Sequence, residues 1–438
     1  MSDETGKMSL PRRGVKWESI MSGLKALKAN DLDWRRGRLP SLTYFLNDDI
    51  LEKQIAAYSE FIVENALGAG IAHKSVWAML SDIYSMAFGL FNAPSSAGAS
   101  FTSGGTESLF EAVKTARNQA RAKRAEPRGH YNIVCATTGH PSMWKAAEAL
   151  DVEVRRTPLD GQYRGTAEAF DAVIDDRTIM LFASAPCYPY GVFDRIEDIA
   201  LLAQQRQLWL HVDACWGGFI SPFAKELGYP IPTWDFQLPG VTSISADLHK
   251  FGYAIKGASL IMFRDAEVQQ YERFTTDKWP RGSYSTPSML GSAPAGSIAT
   301  AWALMQYLGH EGYMKATRET MDATMRLIAG INAIEGLKCL EPTGESNLFT
   351  FVSTNADIDI RAVAALLLEK GWWRGVMQEP IGIQQGVTAS HLPYVDEYLG
   401  EVQQAVSRVR SEKLVGGFNE HLMLAGTDRG STPQTGYT

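Results

Sequence analysis

The chain has 438 residues, of which 45% are apolar and 21% charged, with a formal net charge of −7. That is an ordinary soluble globular balance, long enough for a large domain with a smaller companion. The acidic charge and the lack of a basic run exclude a nucleic-acid partner as an expectation, and no run of 18 apolar residues predicts a membrane span.

Residues 1–15 are polar and read as loose, without the apolar core of a signal peptide. A helical segment is expected up to about residue 67. In it, WESIMSGLKALKAND places Ile20, Met21, Leu24 and Leu27 on one face. Pro40 and the run Asn47-Asp48-Asp49 interrupt it, and Asp48 or Asp49 is the expected cap of a helix starting near Ile50. From 68 to 296, short apolar strands alternate with helices. The strands are expected at Asn132–Ala136, Thr178–Ser184, Leu208–Asp213, Val241–Ser245 and Ala258–Phe263, with helices such as Glu107–Ala125 and Ile196–Gln205. Continuous apolar runs suit strands covered on both faces, so the reading is α/β with a mostly parallel sheet. Residues 297–415 read as a smaller C-terminal α/β unit. It begins with a long helix from Ser297 to about Leu337, broken at Gly309 and Gly312. A strand at Asn347–Ser353 and helices at Ile360–Lys370 and Leu392–Lys413 follow. Residues 416–438, rich in Gly, Ser and Thr, are expected to be disordered. Cys135, Cys187, Cys215 and Cys339 lie far apart without zinc-type spacing, which predicts free thiols in a reducing, cytoplasmic compartment.

Three stretches carry chemistry. In FTSGGTESLFEAVKTAR, two glycines and Thr106 feed a helix start, which is either a plain capped helix or a phosphate cradle built on free backbone N–H groups. In LWLHVDACWGGF, Asp213 ends an apolar strand. A carboxylate there needs either neighbouring N–H groups or a cation such as a protonated ring nitrogen. In SADLHKFGYAIKG, a strand ends just before Asp247, His249 and Lys250, so Lys250 is either a surface lysine or a candidate for a Schiff base with an aldehyde. Their order, with His140 of TTGHPSMWKAA between the first and second, suits pyridoxal 5'-phosphate. The glycine loop would hold its phosphate, an imidazole would stack on its ring, an aspartate would pair with its pyridine nitrogen and a lysine would hold its aldehyde.

With these residues in place, the chain resembles the fold-type I pyridoxal-phosphate enzymes of the group II decarboxylase superfamily, and within them the sphingosine-1-phosphate lyase branch. TSGGTES, SAPCYPYGVFDRIEDI, HVDACWGGF, SISADLHKFGYAIKGAS, WPRGSYSTPSMLGSAPAG and LKANDLDWRRGRL carry the resemblance, which runs from about Leu10 to about Val406. It implies a large cofactor domain, a smaller C-terminal α/β domain and a homodimer with a shared active site. It implies Lys250 as the Schiff-base lysine, Asp213 at the pyridine nitrogen and His140 on the ring. Gly105, Thr106 and His249 would bind the cofactor phosphate, with Ser292 reaching it from the neighbouring subunit. Lys256, Tyr188, Tyr44 and Asn65 match positions that hold the substrate.

Amino-acid decarboxylases of the superfamily typically read His-Lys-Trp. Here Phe251 follows Lys250, and Lys256 is present as a candidate anion receptor or a solvated loop lysine. Two departures stand against a full match. ENALGAGIAHKS lacks a histidine where the lyases carry an Asn-Pro-Leu-His-like run, and their GSRPG reads Gly291-Ser292-Ala293-Pro294-Ala295. The expected activity is cleavage of a Cα–Cβ bond in a β-hydroxy amine, phosphorylated or not. The alternatives are an L-amino-acid decarboxylase and a catalytically silent pyridoxal-binding scaffold.

Overall fold

The computed structural model describes residues 10–124 and 130–416. Helix α1 (Trp17–Lys28) forms with the expected apolar face, but Ile20, Met21, Leu24 and Leu27 are all exposed in this chain. Helix α2 (Asp48–Glu60) starts two residues earlier than expected. The cap is Asn47 rather than Asp48 or Asp49, because its Oδ1 accepts the Ile50 N–H at 2.9 Å. Helix α3 (Lys74–Leu90) buries Val76, Met79, Ile83 and Ala87, one stripe at helical spacing.

The chain then builds a seven-stranded sheet from β1 (Gly98–Thr102), β2 (Tyr131–Ala136), β3 (Val152–Thr157), β4 (Thr178–Ser184), β5 (Trp209–Asp213), β6 (Val241–Ala246) and β7 (Ser259–Phe263). Helices α4 (Gly105–Lys123), α5 (Pro141–Ala149), α6 (Ala167–Asp171), α7 (Ile196–Arg206) and α8 (Ser221–Glu226) connect them. The strand order is β1-β7-β6-β5-β4-β2-β3, parallel except for β7, which runs antiparallel to both neighbours. Every residue of β2, β4, β5 and β7 is buried, which accounts for their unbroken apolar runs. Ser184 pairs with Asp213 and Asp213 with Ser245, so β4, β5 and β6 end together at one carboxyl edge.

After α9 (Ala266–Gln269), an exposed hairpin of β8 (Phe274–Trp279) and β9 (Gly282–Thr286) projects from the body. Helix α10 (Ala295–Ala333) is broken at Gly309 (φ 54°, ψ −171°), while Gly312, the second expected break, stays helical. A four-stranded antiparallel sheet follows. It orders β10 (Leu337–Cys339), β11 (Leu348–Ser353), β13 (Ile381–Gly386) and β12 (Gly375–Gln378). Helices α11 (Ile360–Glu369) and α12 (Val395–Glu412) pack on a separate core around Phe351, Val363, Trp372 and Val402. Among the described residues no helix is long and apolar enough to cross a membrane. Residues 1–9 and the tail expectation, from residue 417 on, lie outside the described residues.

The loop between β4 and α7 approaches β11 closely at Gly191, whose φ is +71° and where a Cβ would stand 2.1 Å from the Leu348 carbonyl oxygen. Gly191→Ala is therefore expected to lower unfolding stability by roughly 2–4 kcal/mol, combining left-handed strain with overpacking. Urea unfolding checks this, and a loss below about 0.5 kcal/mol would refute the close approach.

Candidate active site

The turn after β6 carries Asp247, Leu248, His249 and Lys250. The Lys250 amide returns to the Asp247 carbonyl at 3.3 Å, which folds the Asp247 and Lys250 side chains together. Asp247 is 3% exposed, and its Oδ2 lies 2.9 Å from Lys250 Nζ and 3.5 Å from His249 Nε2. Its Oδ1 is buried without a hydrogen-bond partner. Burial alone would raise the Asp247 pKa, but Lys250 and then His249 hold it below the ordinary carboxylate value. Burial would lower Lys250 and Asp247 opposes it, leaving the ammonium raised and paired. Burial pushes His249 down to about 4, and its Nδ1 accepts the Ala258 N–H at 3.3 Å. The ring is therefore neutral near pH 7, with its proton on Nε2.

Asp213 is presented by the end of β5. Its Oδ1 accepts from the Cys215 N–H at 3.0 Å and from Ser245 Oγ at 3.2 Å. Oδ2 has no partner among the described residues, so local N–H groups occupy one oxygen and leave the other for a cation. His140 caps α5, its Nδ1 accepting the Ser142 N–H at 3.2 Å. The imidazole keeps exposed surface, yet the cavity walls around it desolvate it and lower its pKa.

The glycine loop joins β1 to α4. No side chain caps α4 at Gly104, and the Gly105 and Thr106 amides have no acceptor among the described residues. Two free N–H groups at the positive end of a 19-residue helix form an anion cradle. A Cβ at Gly105 would lie 2.8 Å from Cys215 Sγ and 3.0 Å from the Asp247 carboxylate, and one at Gly104 would lie 3.2 Å from His249 Cε1. Thr106 Oγ1 reaches Ser142 Oγ at 3.0 Å and ties the loop to α5.

These groups line two adjoining cavities of about 380 and 130 Å³, which share His140, Asp213, Cys215 and Lys250. The larger holds Gly105, Thr106, Asp247 and His249, and the smaller holds Ser41, Tyr44, Thr138, Tyr188 and Trp216. Lys256 is an exposed residue, but its Nζ turns inward to 4.5 Å from the ring centre of buried Tyr44. Desolvation there, then Lys250, pushes its pKa down to about 8. Asn65, Ser292 and Lys256 line neither cavity of this chain, although Lys256 backs onto Tyr44, which does. Asn65 Nδ2 donates to Ser292 Oγ at 3.0 Å, beside a separate cavity of about 450 Å³ that contains neither lysine.

Sequence reasoning missed Ser41, Thr138, Cys215, Trp216 and the part played by Asp247. For Asp247 a signal existed: a carboxylate three residues before a lysine, at the end of an apolar strand, cannot stay buried alone. The cavity meets the requirements of a pyridoxal phosphate. It has an anion cradle that a Cβ would fill, a half-buried lysine on the cavity wall, and a carboxylate oxygen with no partner among the described residues.

Comparison with known proteins agrees. The family model for the pyridoxal-dependent decarboxylase conserved domain matches residues 73–341. The chain is 34% identical over 418 residues to a sphingosine-1-phosphate lyase of Oryza sativa subsp. japonica, covering 93% of this chain and 76% of the relative. It is 32% identical to a probable L-tyrosine/L-aspartate decarboxylase of Methanothermobacter thermautotrophicus, over 75% of this chain and 86% of that one. A solved sphingosine-1-phosphate lyase structure from Burkholderia pseudomallei superposes with a TM-score of 0.87 at 31% identity, covering 93% of this chain and 94% of that chain.

Proposed function

Because this chain belongs to the pyridoxal-dependent decarboxylase family, in which it stands with the sphingosine-1-phosphate lyases, and is a pyridoxal-phosphate-dependent lyase, we propose that it performs retro-aldol cleavage of a β-hydroxy amine with an anionic head. One observation carries this reading. A second lysine, Lys256, holds its Nζ 4.5 Å from the ring centre of Tyr44, a residue that lines the cavity with Lys250, and from behind that ring it supplies a positive charge to the substrate end.

The roles follow from the side chains. Lys250 would hold the cofactor covalently. Gly105 and Thr106 would receive its phosphate, with neutral His249 donating from Nε2. Asp213 would pair through Oδ2 with the ring nitrogen, and His140 would cover the ring. When bound, the cofactor supplies an electron sink for the broken bond. Tyr44, Tyr188 and Trp216 enclose the substrate end and exclude water. Burial raises the Tyr44 and Tyr188 phenols above their ordinary values, so neither acts as a base.

The enzyme is further proposed to work as a cytoplasmic homodimer, in which Ser292 and Asn65 serve the cavity of a second copy. Their exclusion from both cavities of their own chain supports this arrangement. The closeness to a probable amino-acid decarboxylase favours a second reading, loss of the carboxylate instead of the β-carbon fragment.

A screen of amines for aldehyde and CO₂ release separates the two. Aldehyde from β-hydroxy amines supports the lyase, CO₂ from amino acids supports the decarboxylase, and release of neither overturns both. Lys256→Ala is expected to raise KM for anionic substrates about 10- to 100-fold, the value of a charged hydrogen bond. A KM unchanged by that substitution would remove the anion-receptor role.

A further inference from the structure

Ser41 is a non-glycine residue with φ +70°, a left-handed backbone that L side chains rarely adopt. It lies in the segment that connects α1 to α2, and it lines the Lys250 cavity together with Tyr44, Thr138 and Tyr188. Non-glycine residues in this conformation persist where the surroundings fix them, and they gather at functional sites.

The surroundings here fix it from three sides. The Arg38 carbonyl accepts the Trp373 N–H at 3.1 Å, and Arg38 Nη2 reaches Glu397 Oε1 at 3.1 Å, so the C-terminal unit grips the segment just upstream. Tyr44 Oη donates to the Ser41 carbonyl at 3.1 Å, which uses the Tyr44 proton inside the protein. At Gly386, the end of β13, a Cβ would come within 2.6 Å of Ser41 Oγ, so the space holding this hydroxyl depends on a glycine opposite it.

The Ser41 hydroxyl has no hydrogen-bond geometry with any described residue. Burial raises the Tyr188 phenol and the neighbouring Ser41 hydroxyl opposes the rise, so the two hydroxyls face each other without full hydrogen-bond geometry, and Thr138 Oγ1 beside them is also buried without a partner among the described residues. A cluster of neutral hydroxyls that satisfy one another only in part on one wall has spare capacity for a neutral polar group on the substrate.

We propose that Ser41 is a specificity-determining residue whose strained backbone aims its hydroxyl at the hydroxyl group of the amine substrate. The inference rests on the β-hydroxy amine reading above for the identity of that group. It separates recognition of the hydroxyl, at Ser41, from recognition of the anion, at Lys256.

The test uses a matched pair of probes, an O-phosphorylated 2-aminoalkane-1,3-diol and its 3-deoxy counterpart. Their dissociation constants are read from the cofactor absorbance of the loaded enzyme. The intact protein is expected to bind the diol about five- to tenfold more tightly, the worth of one neutral hydrogen bond. Ser41→Gly and Ser41→Ala should both abolish that preference by weakening the diol alone. Ser41→Gly, which relieves the backbone, should leave the melting temperature of the cofactor-free protein unchanged or slightly raised. Equal binding of the two probes by the intact protein, or a preference that survives both substitutions, overturns the inference. So does a fall in melting temperature in Ser41→Gly, which would make Ser41 a structural residue. Failure of the lyase reading shows separately, as no aldehyde from the diol while the binding preference stands.

Discussion

Lys250→Ala will abolish covalent attachment of the cofactor and lower turnover by about 10²–10⁴-fold, the range for removing a group that handles protons and bonds at the reacting centre. The spectroscopic signature is loss of the visible band of the lysine-bound cofactor. The chemical signature is that borohydride reduction and peptide mass analysis mark residues around Lys250 in the intact protein and nothing in the variant. The anion cradle at Gly105 and Thr106 does not involve this side chain, so the variant should still take up pyridoxal phosphate and lose it on dialysis. Alanine also strands the buried Asp247 carboxylate, which pairs with Lys250 at 2.9 Å. Lys250→Arg separates the two effects. It keeps a cation beside Asp247, and so the stability, but cannot hold an aldehyde. A covalent adduct retained in either variant would move the attachment point elsewhere.

The parts of this fold that the sequence made legible are those where burial is unambiguous. β4 matches its expected bounds, and β2, β5, β6 and β7 fall within about one residue of theirs, because strands covered on both faces are mostly apolar and pair the few polar residues they bury, as His211 pairs with Ser243. Asp213 and Lys250 were legible for the converse reason, as polar groups at the ends of such strands. β1, GASFT, and β3, VEVRRT, were not, since both are edge strands, one only alternately buried and the other carrying three charges. α1 shows the limit of periodicity. Its apolar face was read correctly, but periodicity does not say what covers the face, and among the described residues nothing does. Ser41 was illegible because a left-handed residue announces itself in sequence only when it is glycine or asparagine.

Asp247 ties legibility to energetics, since its partner was evident and its own part was not. Asp247→Asn in the cofactor-free protein is expected to cost about 2–3 kcal/mol in urea unfolding, because the half-buried Lys250 ammonium loses its counter-ion. The pH dependence fixes the sign. The Asp247 pKa is depressed on folding, so its contribution is present above the ordinary value of 3.8 and disappears as pH falls through the lower folded value. The Lys250 pKa is raised, so its contribution is complete below the ordinary value of 10.5 and disappears as pH rises through the higher folded value. The stability difference between intact protein and variant should be flat around neutrality, narrow below about pH 4 as Asp247 is protonated, and narrow in alkali once the variant's Lys250, lowered by burial without Asp247, sheds its proton. A difference that widens in acid would contradict the pairing. Combining Asp247→Asn with Lys250→Met removes both charges and should recover most of the loss, since an apolar replacement of a buried pair is near neutral while a half-pair is costly. Additive losses in the double variant would mean that the two side chains stabilise the fold independently and that the 2.9 Å contact contributes nothing.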